Sequence, residues 1–362
     1  MIGQEKRSVS NHDKGQVSYL FARKSKVFIN DQGYLTRPEL IIEYGFWARE
    51  GVADLLPLDY NVKAKNKIPN KVKTDPTLNG FDLSSLLIPF DEIKKGGPPK
   101  DGIPSIDRPI FLAAKYAKFL KADDEILGVV RNGKIKAYPI KILDRHEIVN
   151  DLFDEEAVVI TYCPLCGSGM AFLANVAGQN RNFGVSGLLY NSDVLLYDRE
   201  SQSLWSQIKS KSVAGKSSGQ ELVFIPTIHT TWSKWKEQYP NTLVLTKKTG
   251  FNYNYDNKAY AAYQDSPKLM FPVANESKAF AKKEKVIGIK VNGKFKAYPF
   301  SKLKKSKGII TDVFNGQTLK ITFDKAAWVA TVRDEVGNDF PAVTLYWFAW
   351  YAFHPDTEIY HK

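Results

Sequence analysis

The most regular stretch of the chain alternates apolar and polar positions about a two-residue turn, and it occurs twice. Residues 125–143 read EILGVVRNGKIKAYPIKIL, and residues 285–303, 160 positions later, read KVIGIKVNGKFKAYPFSKL. In each copy an apolar strand carrying Gly128 or Gly288 leads into Asn132-Gly133 or Asn292-Gly293, residues that accept φ > 0. A second alternating strand then ends at Pro139 or Pro299. This pattern predicts a β-hairpin in both places. A weaker match flanks it. Ile88-Pro89-Phe90 faces Phe271-Pro272-Val273, and Val159-Ile160-Thr161-Tyr162 faces Lys320-Ile321-Thr322-Phe323; where the first copy continues to Cys163, the second has Asp324.

Elsewhere the periodicity is coarser. Asp107 as N-cap and Pro109 in the first turn, with Ile110, Ala113, Ala114, Ala117 and Leu120 on one face, predict a helix. Residues 158–162 read as a buried strand running into Cys163; 170–176, 188–197, 222–228 and 243–246 read as strands, and 232–239 as a short helix closed by Pro240. The first 80 or so residues show no regular pattern. Together these elements predict an α+β fold, mainly antiparallel β, made of two related half-units from an internal duplication, the first with a long insertion. The boundaries follow: an N-terminal extension over 1–83, a first unit over 84–265 with both cysteines, and a second, degenerate unit over 266–362.

Composition narrows the class. With 43% hydrophobic and 25% charged residues, the 362-residue chain has the balance of folded, soluble domains, and 21 Phe, 18 Tyr and 7 Trp favour strands over a helical bundle. The excess of 51 Lys+Arg over 39 Asp+Glu, a net charge of +12, is scattered, as at Lys302, Lys304, Lys305 and Lys307. No aromatic-basic motif accompanies it, so a solvated surface explains it better than nucleic acid does. The most apolar stretch, 342–353, is too short to span a membrane and reads as core. Residues 1–14 are polar and charged, without the apolar region of a signal peptide, so the chain as it stands records no export.

The two cysteines of the chain stand in Cys163-Pro164-Leu165-Cys166-Gly167. Such a pair closes a disulfide or chelates one ion, and the thiolate is the reactive form in both cases. As a redox site it makes a thiol oxidoreductase-like centre acting on a small molecule or a protein thiol, with His146 shuttling a proton. Gly167-Ser168-Gly169 is, however, a poor helix start for activating a thiolate. As a metal site it is completed by His146 with a carboxylate such as Asp193, or by an open coordination position, and suits copper, iron or zinc. An inert cysteine pair and a non-catalytic binding or scaffold protein are the blander readings. The redox reading is preferred, with His146 expected about 4 to 7 Å from the sulfurs. Glu147 is expected to be exposed. The segment 96–104 is a rigid turn whose Asp101 can line the site. Asn191, Asp193, Asp198 and Arg199 form either an Asp-Arg bridge or a polar wall.

Several motifs carry a resemblance. Ile88-Pro89-Phe90-Asp91-Glu92-Ile93, the 96–104 segment GGPPKDGIP, His146-Glu147-Ile148-Val149-Asn150-Asp151, TYCPLCG at 161–167, VSGLLYNSD at 185–193, Tyr197-Asp198-Arg199 and Ser203-Leu204-Trp205 together resemble the bacterial family named domain of unknown function 3179, over about residues 84–362. The resemblance implies a cysteine-pair motif, redox chemistry and an extracytoplasmic, periplasmic or cell-surface location. Where that family tends to show Arg-Asp-Tyr, this chain has Thr249-Gly250-Phe251-Asn252-Tyr253-Asn254-Tyr255.

Overall fold

A computed structural model of the protein describes residues 77–362 apart from Lys258, Lys307 and Lys362; the expected N-terminal extension lies, up to residue 76, outside the described residues. The described residues form one compact unit. Strands come first: β1 (Thr77–Leu78), β2 (Phe81–Asp82), β3 (Ile93–Lys95), β4 (Phe111–Ala113), β5 (Glu125–Arg131) and β6 (Lys134–Pro139). Helix α1 (Ile140–His146) leads to β7 (Ile148–Phe153), β8 (Glu156–Cys163), β9 (Ser168–Leu173), the small hairpin of β10 (Asn175–Val176) and β11 (Gln179–Asn180), β12 (Phe183–Tyr190) and β13 (Asp193–Asp198). Then follow β14 (Leu204–Ser206), β15 (Lys211–Ala214), β16 (Phe224–Ile225), β17 (Ile228–Thr231), α2 (Trp232–Gln238), β18 (Leu243–Leu245) and α3 (Ala261–Asp265). The last stretch holds β19 (Lys285–Val291), β20 (Lys294–Pro299), α4 (Phe300–Leu303), β21 (Ile310–Phe314), β22 (Gln317–Asp324), β23 (Val329–Asp334), β24 (Ala342–Tyr346), α5 (Trp347–Phe353) and β25 (Glu358–Ile359).

Besides the two-stranded ribbons β1-β2 and β10-β11, the described strands make five small sheets, ordered β15-β14-β13-β12-β3, β16-β9-β8-β7, β17-β5-β6-β18-β4, β24-β19-β20-β25 and β21-β22-β23. They stand as the blades of a five-bladed β-propeller, with 42% of the described residues in strands and 13% in helices. The expected α+β fold of two duplicated halves is therefore corrected. Alternation along a strand reports its nearest pairing and not the strands that close a blade from a hundred residues further on. In the blade of β5 and β6, β17 pairs antiparallel with β5 and β18 parallel with β6; β24 and β25 do the same for β19 and β20.

The local repeat is real at the level of register. Gly128 faces Ala137 and Gly288 faces Ala297 across equivalent hairpins. Both glycines exist because a tryptophan lies on them: a Cβ at Gly128 would fall 2.2 Å from the Trp235 ring, and one at Gly288 2.2 Å from Trp350. Each indole then donates to a threonine seven residues on, Trp235 to Thr242 at 3.0 Å and Trp350 to Thr357 at 2.9 Å. Buried Lys136 and Tyr138 share Asp151, as Lys296 and Tyr298 share Asp312. What repeats is a blade and the start of the next one.

Two further expectations change. The helix predicted over 107–120 is β4 followed by a 3-10 turn, since Leu112 and its neighbours pair with β18. The single strand predicted over 188–197 is a hairpin, because Asn191 and Ser192 both take positive φ, 52° and 62°. Those two residues form the two-residue turn that matches strand twist, and they bear directly on the cysteines.

Candidate functional site

Strand β8 delivers Cys163 to its last position, and the chain returns through Pro164, Leu165, Cys166 and Gly167 into β9, with Cys163 opposite Ser168. The Cys166 amide donates to Cys163 O at 3.2 Å, and Gly167 takes φ 63°, where an added Cβ would press on the Tyr346 ring at 3.3 Å. A β-strand thus follows the second cysteine, as the poor helix start implied. The same turn exists without cysteine elsewhere: Asp324 stands at Cys163's register position opposite Val329, and Trp328 takes φ 56° where Gly167 sits. There Asp324 caps its own turn, accepting from the Ala326 and Ala327 amides at 2.9 Å each, and pairs with Lys234 at 3.0 Å. The turn belongs to the fold; the two thiols are what one blade adds.

Both cysteines are buried and unbridged. Their sulfurs face the tip of the β12–β13 hairpin, Cys163 Sγ at 3.7 Å and Cys166 Sγ at 3.4 Å from the Ser192 carbonyl oxygen. Asp193, the next residue, brings a carboxylate oxygen into the group, so that the two sulfurs and this oxygen lie within 4.8 Å of one another. Asp193 Oδ2 accepts the Ile208 amide at 3.1 Å, while Oδ1 is buried without a hydrogen-bond partner.

The electrostatics are one-sided. Burial raises Asp193 to about 7, and burial, then the charges of Asp193 and Asp144, raise Glu147 to about 8. Both thiols are pushed up, first by burial, and Cys166 more strongly. The charged neighbours that perturb these groups are acids and thiols. Glu147, expected to be exposed, is buried in the left-handed region at φ 58°, where it caps the C-terminus of α1. Tyr260, Tyr263 and Tyr346 border the thiols, and all three phenols are raised by burial.

The other sequence-derived residues are placed elsewhere. His146 is not part of the sulfur–carboxylate group. Its Nδ1 lies 2.7 Å from Pro104 O and its Nε2 2.7 Å from Tyr255 Oη. A carbonyl only accepts, so Nδ1 carries the proton; burial lowers the imidazole pKa, so neutral Nε2 accepts from Tyr255, which takes a bond from Thr249. Phe251, Tyr253 and Tyr255 pack their rings 5.5 to 5.7 Å from the imidazole. Asp101 binds Tyr197 Oη at 2.5 Å and Arg199 at 3.1 Å, and Arg199 reaches Ser105 at 3.0 Å. This bridge stands at the far end of β13 from Asp193, about 17 Å away at strand rise. Asn191 accepts the Ala274 amide at 2.7 Å. Asp198 takes the Trp205 indole at 2.8 Å and the Ser201 hydroxyl at 2.6 Å, a structural bond set.

Sequence reasoning missed the role of Ser192 and the burial of Glu147. The Asn-Ser step inside an apolar run was the available sign of the first; the second depends on what α1 packs beneath.

A five-bladed propeller with a buried centre of two thiols and one carboxylate is the class these features define. The chain belongs to the family described as protein of unknown function (DUF3179), whose profile matches residues 100–357. No curated protein and no solved structure matches it.

Proposed function

We propose that this protein binds a metal ion through Cys163, Cys166 and Asp193. The observation that carries this reading is the convergence of two buried thiols and a buried carboxyl group with an orphaned oxygen. Buried without a cation these groups hold their protons, as their raised pKa values show, and a divalent ion would replace the protons and let them ionise as ligands. Two thiolates select zinc or iron(II) over magnesium or calcium, and a carboxylate as third donor favours either over copper(I). Three protein ligands leave a coordination position open, the arrangement of reactive rather than purely structural centres. The Ser192 carbonyl faces both sulfurs, at 3.7 Å from Cys163 Sγ and 3.4 Å from Cys166 Sγ. Glu147, held protonated near neutrality, supplies an acid or base beside the centre.

The redox reading keeps one supporting observation: the two sulfurs share one carbonyl acceptor and are close enough to interact with each other. Closing that pair releases two protons and two electrons to an acceptor such as a protein disulfide. Raised thiol pKa values and full burial weaken the attack that exchange requires, so metal binding is the better-supported chemistry. The extracytoplasmic setting expected from the resemblance belongs to the same proposal, and fractionation of cells producing the full-length protein tests it.

Elemental analysis of protein purified without chelator decides between the chemistries. About one equivalent of zinc or iron, lost in Cys163→Ser and Asp193→Asn, is the expected result. Metal-free protein with a reversibly oxidised pair would reverse the choice.

A further inference from the structure

The thiol centre is covered by a segment, residues 260–283, that has no strand pairing and one short helix, α3. Apart from the Phe348 amide donating to Lys282 O at 2.9 Å, this segment is held by apolar packing and side-chain bonds, and those bonds converge on the site's own turns. Tyr263 Oη donates to Leu165 O at 3.1 Å, between the two cysteines. Ser192 Oγ donates to Phe271 O at 2.8 Å, and the Ala274 amide donates to Asn191 Oδ1 at 2.7 Å. Tyr263 is buried and electrostatically coupled to both thiols.

The far end of this segment holds its near end. Lys283 Nζ donates to Ser266 O at 2.6 Å, to Lys268 O at 3.1 Å and to Tyr263 O, and sits 3.4 Å from the centroid of the Tyr263 ring. An ammonium has three donors, and these three carbonyls use them all. Lys283 is anchored two residues before β19, so its fixed end rides on a blade.

We propose that residues 260–283 form a latched gate over Cys163 and Cys166, with Lys283 and Tyr263 as the latch. Release of these bonds frees α3 and uncovers the cysteine turn while every blade ladder stays intact. Segments held by few bonds open locally at a fraction of the cost of global unfolding. The gate serves either chemistry, since an incoming metal ion and an attacking thiol both need the same path.

The test is the rate at which iodoacetamide alkylates the cysteines of full-length, metal-free protein, followed by intact mass. Wild type is compared with Lys283→Met, with Tyr263→Phe, and with Lys296→Met, which breaks a 2.7 Å ion pair to Asp312 in another blade. The gate requires about tenfold faster labelling in both latch variants, a rate insensitive to low urea, and near wild-type labelling in Lys296→Met. Wild-type labelling in either latch variant overturns it. So does equal acceleration in all three variants with the urea dependence of global unfolding. Metal content does not enter this readout, so the gate and the metal reading fail separately.

Discussion

Ser192 presents its backbone carbonyl to Cys166 Sγ at 3.4 Å from a left-handed φ of 62°, a conformation that a serine adopts at a cost. The turn of β12 and β13 imposes it, and Asp193 follows at the first position of β13. One strained residue thereby sets both the oxygen facing the sulfurs and the carboxylate beside them.

Ser192→Gly keeps that backbone and is expected to leave metal affinity within about threefold of wild type. Ser192→Val adds a β-branched side chain in the left-handed region and is expected to cost about 1–3 kcal/mol of stability and to weaken metal binding by about tenfold or more. Competition titration against a chromophoric chelator, with thermal melts, measures both.

Asp193 and Glu147 give the metal-free protein a defined pH response. Both are acids whose folded pKa is raised, from 3.8 to about 7 and from 4.5 to about 8. Their contribution is therefore fully present below the unfolded values and lost as pH rises through the folded ones. Stability of the metal-free protein should fall by a few kcal/mol between about pH 4 and pH 8. Glu147→Gln should flatten the upper part of that fall in denaturant titrations. Metal affinity should move oppositely, rising across the same range as the ligands lose protons. A metal-free protein equally stable at both ends would refute the assignment.

His146→Gln separates a positioning role from ligation. The imidazole spends both nitrogens on Pro104 O and Tyr255 Oη, so the variant should bind metal at unchanged stoichiometry while losing about 1–3 kcal/mol of stability. Loss of the metal in a variant that still folds would place His146 in the centre after all.

Gly128→Ala and Gly288→Ala should be destabilising to a similar degree, by about 2 kcal/mol or more, because each added methyl collides with an indole at 2.2 Å. Calorimetry of the two single variants tests whether both blades depend equally on this contact. An alanine tolerated at either glycine would show that its tryptophan can withdraw.

The sequence by itself determined the hairpins about Asn132-Gly133 and Asn292-Gly293 and their register. Those features are local: Asn-Gly at 132–133 and 292–293, proline stops and alternation act over a few residues, and β5–β6 and β19–β20 answer them position for position. That the Cys163 and Cys166 pair is something one blade adds was equally legible, since Asp324 stands in the matching place. Tertiary structure alone decided the rest. Propeller closure pairs β17 with β5 and β24 with β19 across long sequence separations, which no periodicity encodes. The carboxylate within 4.8 Å of both sulfurs comes from Asp193, on a hairpin of another blade whose tip reaches the thiols, while α1 turns the His146 imidazole toward Pro104 and Tyr255. Glu147 became a buried acid for the same reason: its surroundings come from segments distant in sequence, and burial rather than residue type sets its proton affinity.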